Sequence, residues 1–220
     1  MSFVVSAHQP NLLPGSAFFY KLAQSDIMDL RMHAQLTERG YQRRVKMRDK
    51  WVNLVLAEGT SKTAMLDTIR IKNKESRTQI INTMKGRYNN APFRRGRLDE
   101  VCDMVNEQTS DWLWQFNLGL ILDLRDWLGI TTPISISGPV SAPKAEGIIA
   151  YVKRYPGATA YLSGTGAMNY MDDVSPFTEA ELDVIWSRHD AVTGDSVVSL
   201  MMDYEDPMEM IMREKPEESQ

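Results

Sequence analysis

A histidine and two carboxamides stand close together near the N-terminus, in the stretch His8-Gln9-Pro10-Asn11. The apolar residues 3–5 before it predict a strand, and α/β proteins bind ligands beyond the carboxyl ends of strands. An imidazole can act as a general base near neutral pH, and carboxamides can orient polar atoms of a substrate. The same residues also suit a rigid turn, because Pro10 restricts φ and Asn11 can bond its own backbone. Residue types alone leave both interpretations open.

Residues 39–48, here called the basic segment, read Arg-Gly-Tyr-Gln-Arg-Arg-Val-Lys-Met-Arg. If the segment is extended, its side chains alternate between two sides, with Tyr41, Arg43 and Val45 on one and Gln42, Arg44 and Lys46 on the other. Guanidinium groups grip phosphates with paired hydrogen bonds, so the segment can hold a diphosphate or follow a nucleic-acid backbone. A solvated, charged edge strand is the equally simple alternative.

Two further stretches are candidates for anion binding. An apolar strand runs into Ser163-Gly164-Thr165-Gly166, where glycines let backbone N–H groups approach an anion, although a tight turn between strand and helix has the same composition. Residues 88–97 contain three more arginines, namely Arg94, Arg95 and Arg97. We favour a junction between two helices for this second stretch, with the arginines as an added electrostatic attraction.

Charge is divided unevenly along the chain. The net charge is −4, yet residues 31–97 hold 17 Lys or Arg against 5 Asp or Glu, and residues 98–220 hold 7 against 22. A polyanionic partner for the first part explains this division, and so does mutual neutralisation of the two parts in the fold. The single cysteine excludes an intramolecular disulfide, and no signal peptide or membrane span is recognisable, so we expect a cytoplasmic protein. The three histidines are far apart, and we expect no metal and no cofactor.

The hydrophobic pattern predicts a single compact α/β domain. We expect a mixed, partly parallel sheet with flanking helices and a helical insertion around residues 75–128. The expected strands are residues 2–7, 51–56, 68–71, 132–137, 158–162 and 182–186. The expected helices are residues 16–24, 75–88, 94–106, 111–128, 144–154 and 196–204, with Asp111 and Gly129 at the two ends of the fourth.

Short pieces in a shared order, along nearly the whole chain, resemble the WbqC-like family. They are His8-Gln9-Pro10-Asn11 with Pro14, Phe19-Tyr20-Lys21-Leu22, Gln35, Tyr41 to Lys46, Tyr88 with Ala91-Pro92-Phe93, Asn117, Leu128 to Thr132, Tyr161-Leu162-Ser163-Gly164 with Gly166, Ala167 and Tyr170, and residues 196–200. The resemblance implies one domain over residues 1–213 and a polar tail over residues 214–220. The chain departs from the family where an acidic pair usually precedes the position of Gln35, because Met32-His33 stands there.

The resemblance implies a transferase. Members of the family occur in O-antigen gene clusters, and some phage relatives are similar to amino acid:DNA transferases of thymine hypermodification. In both settings an amine-bearing molecule joins an activated, anionic acceptor. For this chain we expect transfer of a free amino acid, through its amine, to a phosphate-activated 5-hydroxymethyluracil base in DNA, in the host cytoplasm if the protein is phage-encoded.

That reaction gives each candidate residue a role. We expect His8 to take a proton from the attacking amine, while Gln9 and Asn11 position the substrates. The expected phosphate and DNA contacts are Arg39, Arg43, Arg44, Lys46, Arg94, Arg95 and Arg97. The expected substrate-binding residues are Gln35, Tyr41, Ser163, Gly164, Thr165, Gly166 and Tyr170.

Two alternatives remain at this level. A transferase of the O-antigen type, acting on a nucleotide-linked amino sugar, predicts tight binding of nucleotide sugars and weak binding of DNA. A non-catalytic nucleic-acid-binding protein predicts salt-dependent DNA affinity that survives loss of His8, without a reaction product.

Overall fold

A parallel β-sheet runs through the centre of the protein. The structure is a computed structural model, and it describes residues 2–140, 144–164, 166 and 173–216. Within them the strands are β1 (Val4–His8), β2 (Ile27–Leu30), β3 (Arg44–Met47), β4 (Lys50–Asn53), β5 (Ile134–Ser135), β6 (Ala160–Ser163) and β7 (Asp183–Trp186). The helices are α1 (Ser16–Ala23), α2 (Asn73–Arg87), α3 (Arg97–Glu107), α4 (Leu113–Trp127), α5 (Lys144–Val152), α6 (Ser175–Glu179), α7 (Val197–Asp203) and α8 (Pro207–Ile211).

The order of the strands indicates where at the edge of the sheet a ligand can bind. The order is β5-β2-β1-β6-β7, and all four adjacent pairs are parallel. From β1 the chain moves outward to β2 and β5 on one side, and it later builds β6 and β7 on the other side. The direction therefore reverses between β1 and β6. Open α/β sheets bind ligands at the carboxyl edge beside such a reversal, which here lies between His8 and Ser163.

Helices cover both faces of the sheet. The side chains of β1 alternate, so Val5 and Ala7 pack with Ile148 of α5 in an apolar cluster that also includes α6. Ser6 and His8 point to the opposite face, against which α1 packs. The core on that face continues from α1 into the long segment between β2 and β5. His8 therefore leaves the sheet on the side of the larger core.

The segment between β2 and β5, residues 31–133, is the insertion. It contains the antiparallel hairpin β3–β4 and the helices α2, α3 and α4. The predicted α/β class and the helical insertion around residues 75–128 are confirmed, and the insertion also includes the hairpin before them. The antiparallel pairing lies in this hairpin, while the main sheet is parallel. No helix in the described part of the chain is long and apolar enough to cross a membrane.

Several short elements are not predicted by the hydrophobic pattern of the sequence. Strand β2 has only four residues, and one of them is the fully buried Asp29, which accepts a hydrogen bond from Tyr155 (Oη–Oδ2 2.6 Å). The expected strand at residues 68–71 is wrong, because Leu66–Thr68 forms a 3-10 turn and Ile71 makes only an isolated bridge. Helices α6 and α8 span five residues each, too few to show a helical period.

The two ends of α4 differ in how far local sequence determines them. Asp111 does not cap the helix, because Trp112 occupies the N-cap position and makes no side-chain cap bond. Asp111 instead lies 3.4 Å from Arg70, measured from Oδ2 to Nη2. At the other end Gly129 adopts a φ of +70°, which ends the helix as predicted.

Arg97 ties the start of α3 to the end of α7. Its Nη1 donates to the carbonyl oxygens of Met201 (2.9 Å) and Tyr204 (2.7 Å), and its Nη2 donates to that of Glu205 (2.8 Å). Carbonyls at the end of a helix have no partner within the helix, so the guanidinium supplies the missing donors. Arg97 thus has a role in the fold, and the expected DNA contact by Arg97 stays a prediction. Arg94 and Arg95, by contrast, are exposed.

Replacing Arg97 should destabilise the protein. Arg97→Ala removes three hydrogen bonds to helix-end carbonyls, and we expect the free energy of unfolding to fall by about 2 kcal/mol. The exposed Arg94→Ala is the matched control, and its free energy of unfolding should stay within about 0.5 kcal/mol of wild type. Urea denaturation followed by circular dichroism measures both. Equal stability of the two variants would contradict the structural role.

Candidate functional site

A cavity of about 530 Å³ opens at the carboxyl end of β1. Three segments of the chain line it, drawn from residues 8–18, 37–46 and 191–196. Five of the predicted site residues meet there: His8, Gln9, Asn11, Tyr41 and Lys46. The volume lies in the range usual for small-molecule sites. The carboxyl edge of the sheet and the basic segment thus share one concave site.

Asn117 holds the two principal loops of this cavity together. It lies in α4, is fully buried, and its Nδ2 donates to the carbonyl oxygens of Pro10 (2.8 Å) and Gln42 (2.7 Å). A backbone hydrogen bond from Leu12 N to Tyr41 O (2.9 Å) runs beside them. Asn117 is not among the predicted site residues, although a carboxamide in an apolar helix can be recognised in the sequence. Its side chain positions the loop that follows His8.

The carboxamides of Gln9 and Gln42 also meet, with Gln42 Nε2 donating to Gln9 Oε1. A Cβ on Gly40 would lie 1.8 Å from Gln42 Oε1, so this packing requires glycine at that position or a shifted Gln42 side chain. The expected alternation in the basic segment is wrong before β3. Gln42 and Val45 are both buried, although alternation places them on opposite sides, because the chain turns at residues 41–43 before the strand begins.

His8 is neutral at pH 7. Its Nδ1 lies 2.9 Å from the carbonyl oxygen of Gln9, and its ring packs edge-on against Phe18 with the centroids 4.9 Å apart. Burial, together with the charge of Lys21, lowers the pKa of His8 to about 4. With the Nδ1 proton donated to Gln9, the lone pair belongs to Nε2. Nε2 is therefore the atom that can accept a proton.

Lys21 places a buried positive charge behind β1. Its side chain is 6% exposed, and Nζ donates to the carbonyl oxygen of Ala7 (3.1 Å), the residue before His8. None of the ion pairs in the described part of the chain includes Lys21. Burial lowers the pKa of Lys21 to about 8. This lysine was open to detection from sequence, since it interrupts the apolar run Phe18–Leu22.

The start of α7 closes the cavity on the side opposite β1. Ser196 N donates to Lys46 O (2.9 Å), and Val197 N donates to Pro14 O (2.8 Å). A Cβ on Gly15 would lie 2.8 Å from the carbonyl oxygen of Asp195, so the two walls are in close contact. Both loops that carry predicted site residues are thus also bound to the C-terminal part of the chain.

A polar pair joins Ser16, which lines the cavity, to His189, which is not among the lining residues. Ser16 Oγ lies 2.8 Å from His189 Nε2, and the ring of His189 stacks on Tyr20 with the centroids 5.2 Å apart. Burial lowers the pKa of His189. No spacing in the sequence points to this pair, because 173 positions separate its members.

The arginines of the basic segment are anchored by one nitrogen each. Arg43 Nε donates to Glu38 O (3.2 Å), and Arg44 Nε donates to Arg39 O (2.9 Å). Within the described residues their terminal nitrogens have no hydrogen-bond or ion-pair partner. Arg39 itself is exposed. None of these three arginines is among the residues that line the cavity, although the neighbouring Tyr41, Gln42, Val45 and Lys46 are.

Other predicted site residues lie apart from the cavity. Ser163 and Gly164 end β6 next to β1 but do not line it, and Gly166 is exposed. Gln35 is exposed and donates to Thr63 O (3.0 Å). Thr165 and Tyr170 lie outside the described residues.

Met32-His33, which stands where the WbqC-like family usually has an acidic pair, lies next to a carboxylate from another part of the chain. His33 Nδ1 lies 2.9 Å from Asp67 Oδ2, while Met32 is buried in the core. The carboxylate absent from positions 32 and 33 is thus supplied next to His33 by another part of the insertion. Among the described residues, no three His, Cys, Asp or Glu side chains are grouped to hold a metal ion.

Part of the charge division is neutralised within the fold. Arg48 pairs with Asp203, and Arg70 pairs with Asp111, so cations of the first part meet carboxylates of the second. The terminal nitrogens of Arg43 and Arg44 stay outside such pairs. Mutual neutralisation therefore explains part of the charge division, while a polyanionic partner for the remaining cations stays a prediction.

A cavity at the carboxyl edge of a parallel sheet, next to the chain reversal, is typical of a ligand-binding α/β protein. The chain matches the WbqC-like protein family over residues 9–193, and it belongs to that family. The match begins one residue after His8. No curated protein and no solved structure matches the chain.

Removing the Asn117 carboxamide should destabilise the fold and the site together. Asn117→Ala leaves the buried carbonyls of Pro10 and Gln42 without their donor, so we expect the free energy of unfolding to fall by about 2–4 kcal/mol. Urea denaturation measures the change. The control is Asn82→Ala on the exposed face of α2, which should stay within about 0.5 kcal/mol of wild type. A similarly small change in Asn117→Ala would show that the two hydrogen bonds are dispensable.

The ionisation of His8 can be followed directly. Its pKa of about 4 lies below the ordinary value of about 6.5, so the unfolded chain binds the proton more readily than the folded chain does. The stabilisation from neutral His8 is complete above pH 6.5 and is lost as the pH falls towards 4. We expect the ring resonances of His8, assigned by their loss in His8→Gln, to titrate near pH 4. A midpoint between pH 6 and 7 would contradict the burial argument.

Proposed function

We propose that this WbqC-like protein is a transferase that joins the amine of a free amino acid to a phosphate-activated 5-hydroxymethyluracil base in DNA. The observation that carries the proposal is the cavity, because both His8, which is neutral at pH 7, and Lys46 line it. An imidazole can accept a proton, and an ammonium can stabilise a departing phosphate. The identity of the two substrates follows from the resemblance to the phage relatives.

His8 is the proposed general base. An amino acid attacks only after its ammonium group has lost one proton to solvent. As the nitrogen bonds to the exocyclic carbon of the base, the acidity of its remaining protons rises steeply, and one of them passes to His8 Nε2. The low pKa leaves the Nε2 lone pair unprotonated at neutral pH, and it also makes the imidazole a weaker base than one whose pKa lies near 7. The bond from Nδ1 to Gln9 O holds the ring in the required tautomer.

The phosphate leaves with its negative charge as the carbon–oxygen bond breaks. Lys46 lines the cavity, and Arg43 and Arg44 stand in the chain between the lining residues Gln42 and Val45. Cations that are already in place stabilise developing charge without reorganisation. These three residues are the proposed contacts to the leaving phosphate or diphosphate.

The remaining roles follow from position. Gln9 and Asn11 line the cavity and are proposed to orient the amino acid or the base edge. Gly164 lies at the end of β6, next to the reversal from β1, and this end of the strand is the proposed place for the amino acid's carboxylate. Arg39, Arg94 and Arg95 are exposed and are proposed to contact DNA phosphates at the periphery.

A nucleotide-linked amino sugar is the second candidate acceptor. The size of the cavity favours it, because about 530 Å³ suits a small molecule. It gives His8 the same work, since an amine again attacks an activated, anionic partner. It gives the exposed Arg39, Arg94 and Arg95 no role.

The test uses DNA that contains phosphorylated and diphosphorylated 5-hydroxymethyluracil, incubated with the purified protein and the twenty amino acids. Mass spectrometry of the digested nucleosides should show a new species that is heavier than 5-hydroxymethyldeoxyuridine by the mass of one amino acid residue. His8→Ala should lower the rate by about 10²–10⁴-fold, as expected for loss of a general base. Lys46→Ala should also lower it, whereas the exposed Lys85→Ala on α2 should not.

The outcomes separate the candidates. An unchanged rate in His8→Ala removes His8 from the mechanism. No new mass, with the substrate intact and the protein folded, excludes the DNA acceptor tested. If a product then forms when a nucleotide-linked amino sugar replaces the DNA, the second candidate function is assigned. If the protein binds DNA in a salt-dependent way and forms no product with either acceptor, it is a non-catalytic nucleic-acid-binding protein.

A further inference from the structure

The hairpin β3–β4 has one apolar face and one face rich in cations and aromatic rings. Val45 and Val52 are buried on the inner side. On the outer side Lys46 is directly opposite Trp51 in the strand register. The aromatic–basic face is defined here as Tyr41, Arg44, Lys46 and Trp51.

Contacts within the aromatic–basic face are specific. The guanidinium carbon of Arg44 lies 3.8 Å from the centroid of the Trp51 ring, and Lys46 Nζ lies 5.7 Å from it. The ring of Tyr41 is tilted against Trp51 with the centroids 5.5 Å apart. A cation over an indole is held in place by the ring quadrupole. Arg44 is further oriented by its hydrogen bond to Arg39 O.

The face is continuous with the cavity. Tyr41 and Lys46 belong to it and also line the cavity that contains His8. Tyr41 is 49% exposed, so the ring is accessible at the cavity rim. Positive groups along a groove and accessible rings at its edge are the two elements by which proteins hold single-stranded nucleic acid, since each base has a π-face.

We infer that the aromatic–basic face binds unpaired DNA and that the acceptor base enters the cavity outside a double helix. The inference deepens the proposed function and depends on it for the choice of DNA. His8 lies at a strand end within a concave site, whereas the 5-position of a paired thymine lies inside the major groove. A concave wall cannot be inserted into that groove, so the base must come to His8.

Each component of the face has a separate role. Tyr41 and Trp51 provide the rings against which the acceptor base or its neighbour stacks, and this contact is tolerant of sequence. Arg44 and Lys46 neutralise phosphates, which makes the affinity depend on salt. Duplex DNA satisfies the cations and leaves the rings unused, so it should bind more weakly.

The test is fluorescence anisotropy with the full chain and a labelled, unmodified oligothymidine of about twelve nucleotides, a length suited to such sites. The comparison probe is the same strand in a duplex, at equal salt. We expect the single strand to bind on the order of tenfold more tightly. Trp51→Ala and Tyr41→Ala should each lower its affinity by a similar factor, while Trp51→Phe should keep most of it.

Arg44→Gln has a matched control in the same insertion. Arg70 also lies over an indole, with its guanidinium carbon 4.7 Å from the Trp112 ring centroid. Arg44→Gln should weaken binding and reduce its salt dependence, whereas Arg70→Gln should leave both unchanged. Thermal unfolding confirms that each variant is folded.

Three results would overturn the inference. They are duplex affinity equal to that of the single strand, unchanged single-strand affinity in both folded aromatic variants, and tighter binding of oligouridine than of oligothymidine. The proposed transfer can fail separately. Binding as expected without any product rejects the transfer and keeps the assignment of the face. If the product forms equally fast on duplex and single-stranded DNA, and equally fast with Trp51→Ala and wild type, the transfer is retained. The role of the aromatic–basic face in binding unpaired DNA is then rejected.

Discussion

Two hydrogen bonds from one buried carboxamide connect the sheet to the insertion at the site. Asn117 donates to Pro10 O and Gln42 O at 2.8 and 2.7 Å, in surroundings without competing water. Because both acceptors are carbonyl oxygens, the side chain between them must provide two N–H groups from one atom. A carboxylate offers none and an apolar side chain leaves both carbonyls unsatisfied. The position of the loop after His8 relative to the basic segment therefore depends on a residue that does not line the cavity.

The electrostatics of the cavity follow from what lies behind it. Lys21 has no carboxylate partner among the described ion pairs, and it sits next to the backbone of the residue preceding His8. Its charge disfavours a second cation on the imidazole and at the same time favours anions in front of the strand end. Burial is the larger cause of the low pKa of the His8 imidazole, and the charge of Lys21 adds to it.

The sequence predicts those parts of the fold that rest on local periodicity. Strand β1 and helices α1, α3 and α4 have clear apolar patterns, and Gly129 favours the backbone conformation that ends a helix. Strand β2 is not predictable in this way, because Asp29 is buried through hydrogen bonds from residues more than a hundred positions away. Arginines show the same limit. Arg44 and Arg97 have the same chemistry, and only tertiary structure shows that Arg44 lies over the Trp51 ring while Arg97 binds carbonyls at the end of α7.

The hydrogen bonds from Ser196 and Val197 also govern when the site can form. These residues bind Lys46 and Pro14, and so join the first strand loop, the inserted hairpin and the C-terminal helix α7. During synthesis the sheet neighbours β1 and β2 and the insertion leave the ribosome well before α7 does. A nascent chain can therefore build most of its core while the cavity still lacks a wall. On a partly made chain that lacks residues 191–197, a ligand therefore has no complete site to occupy.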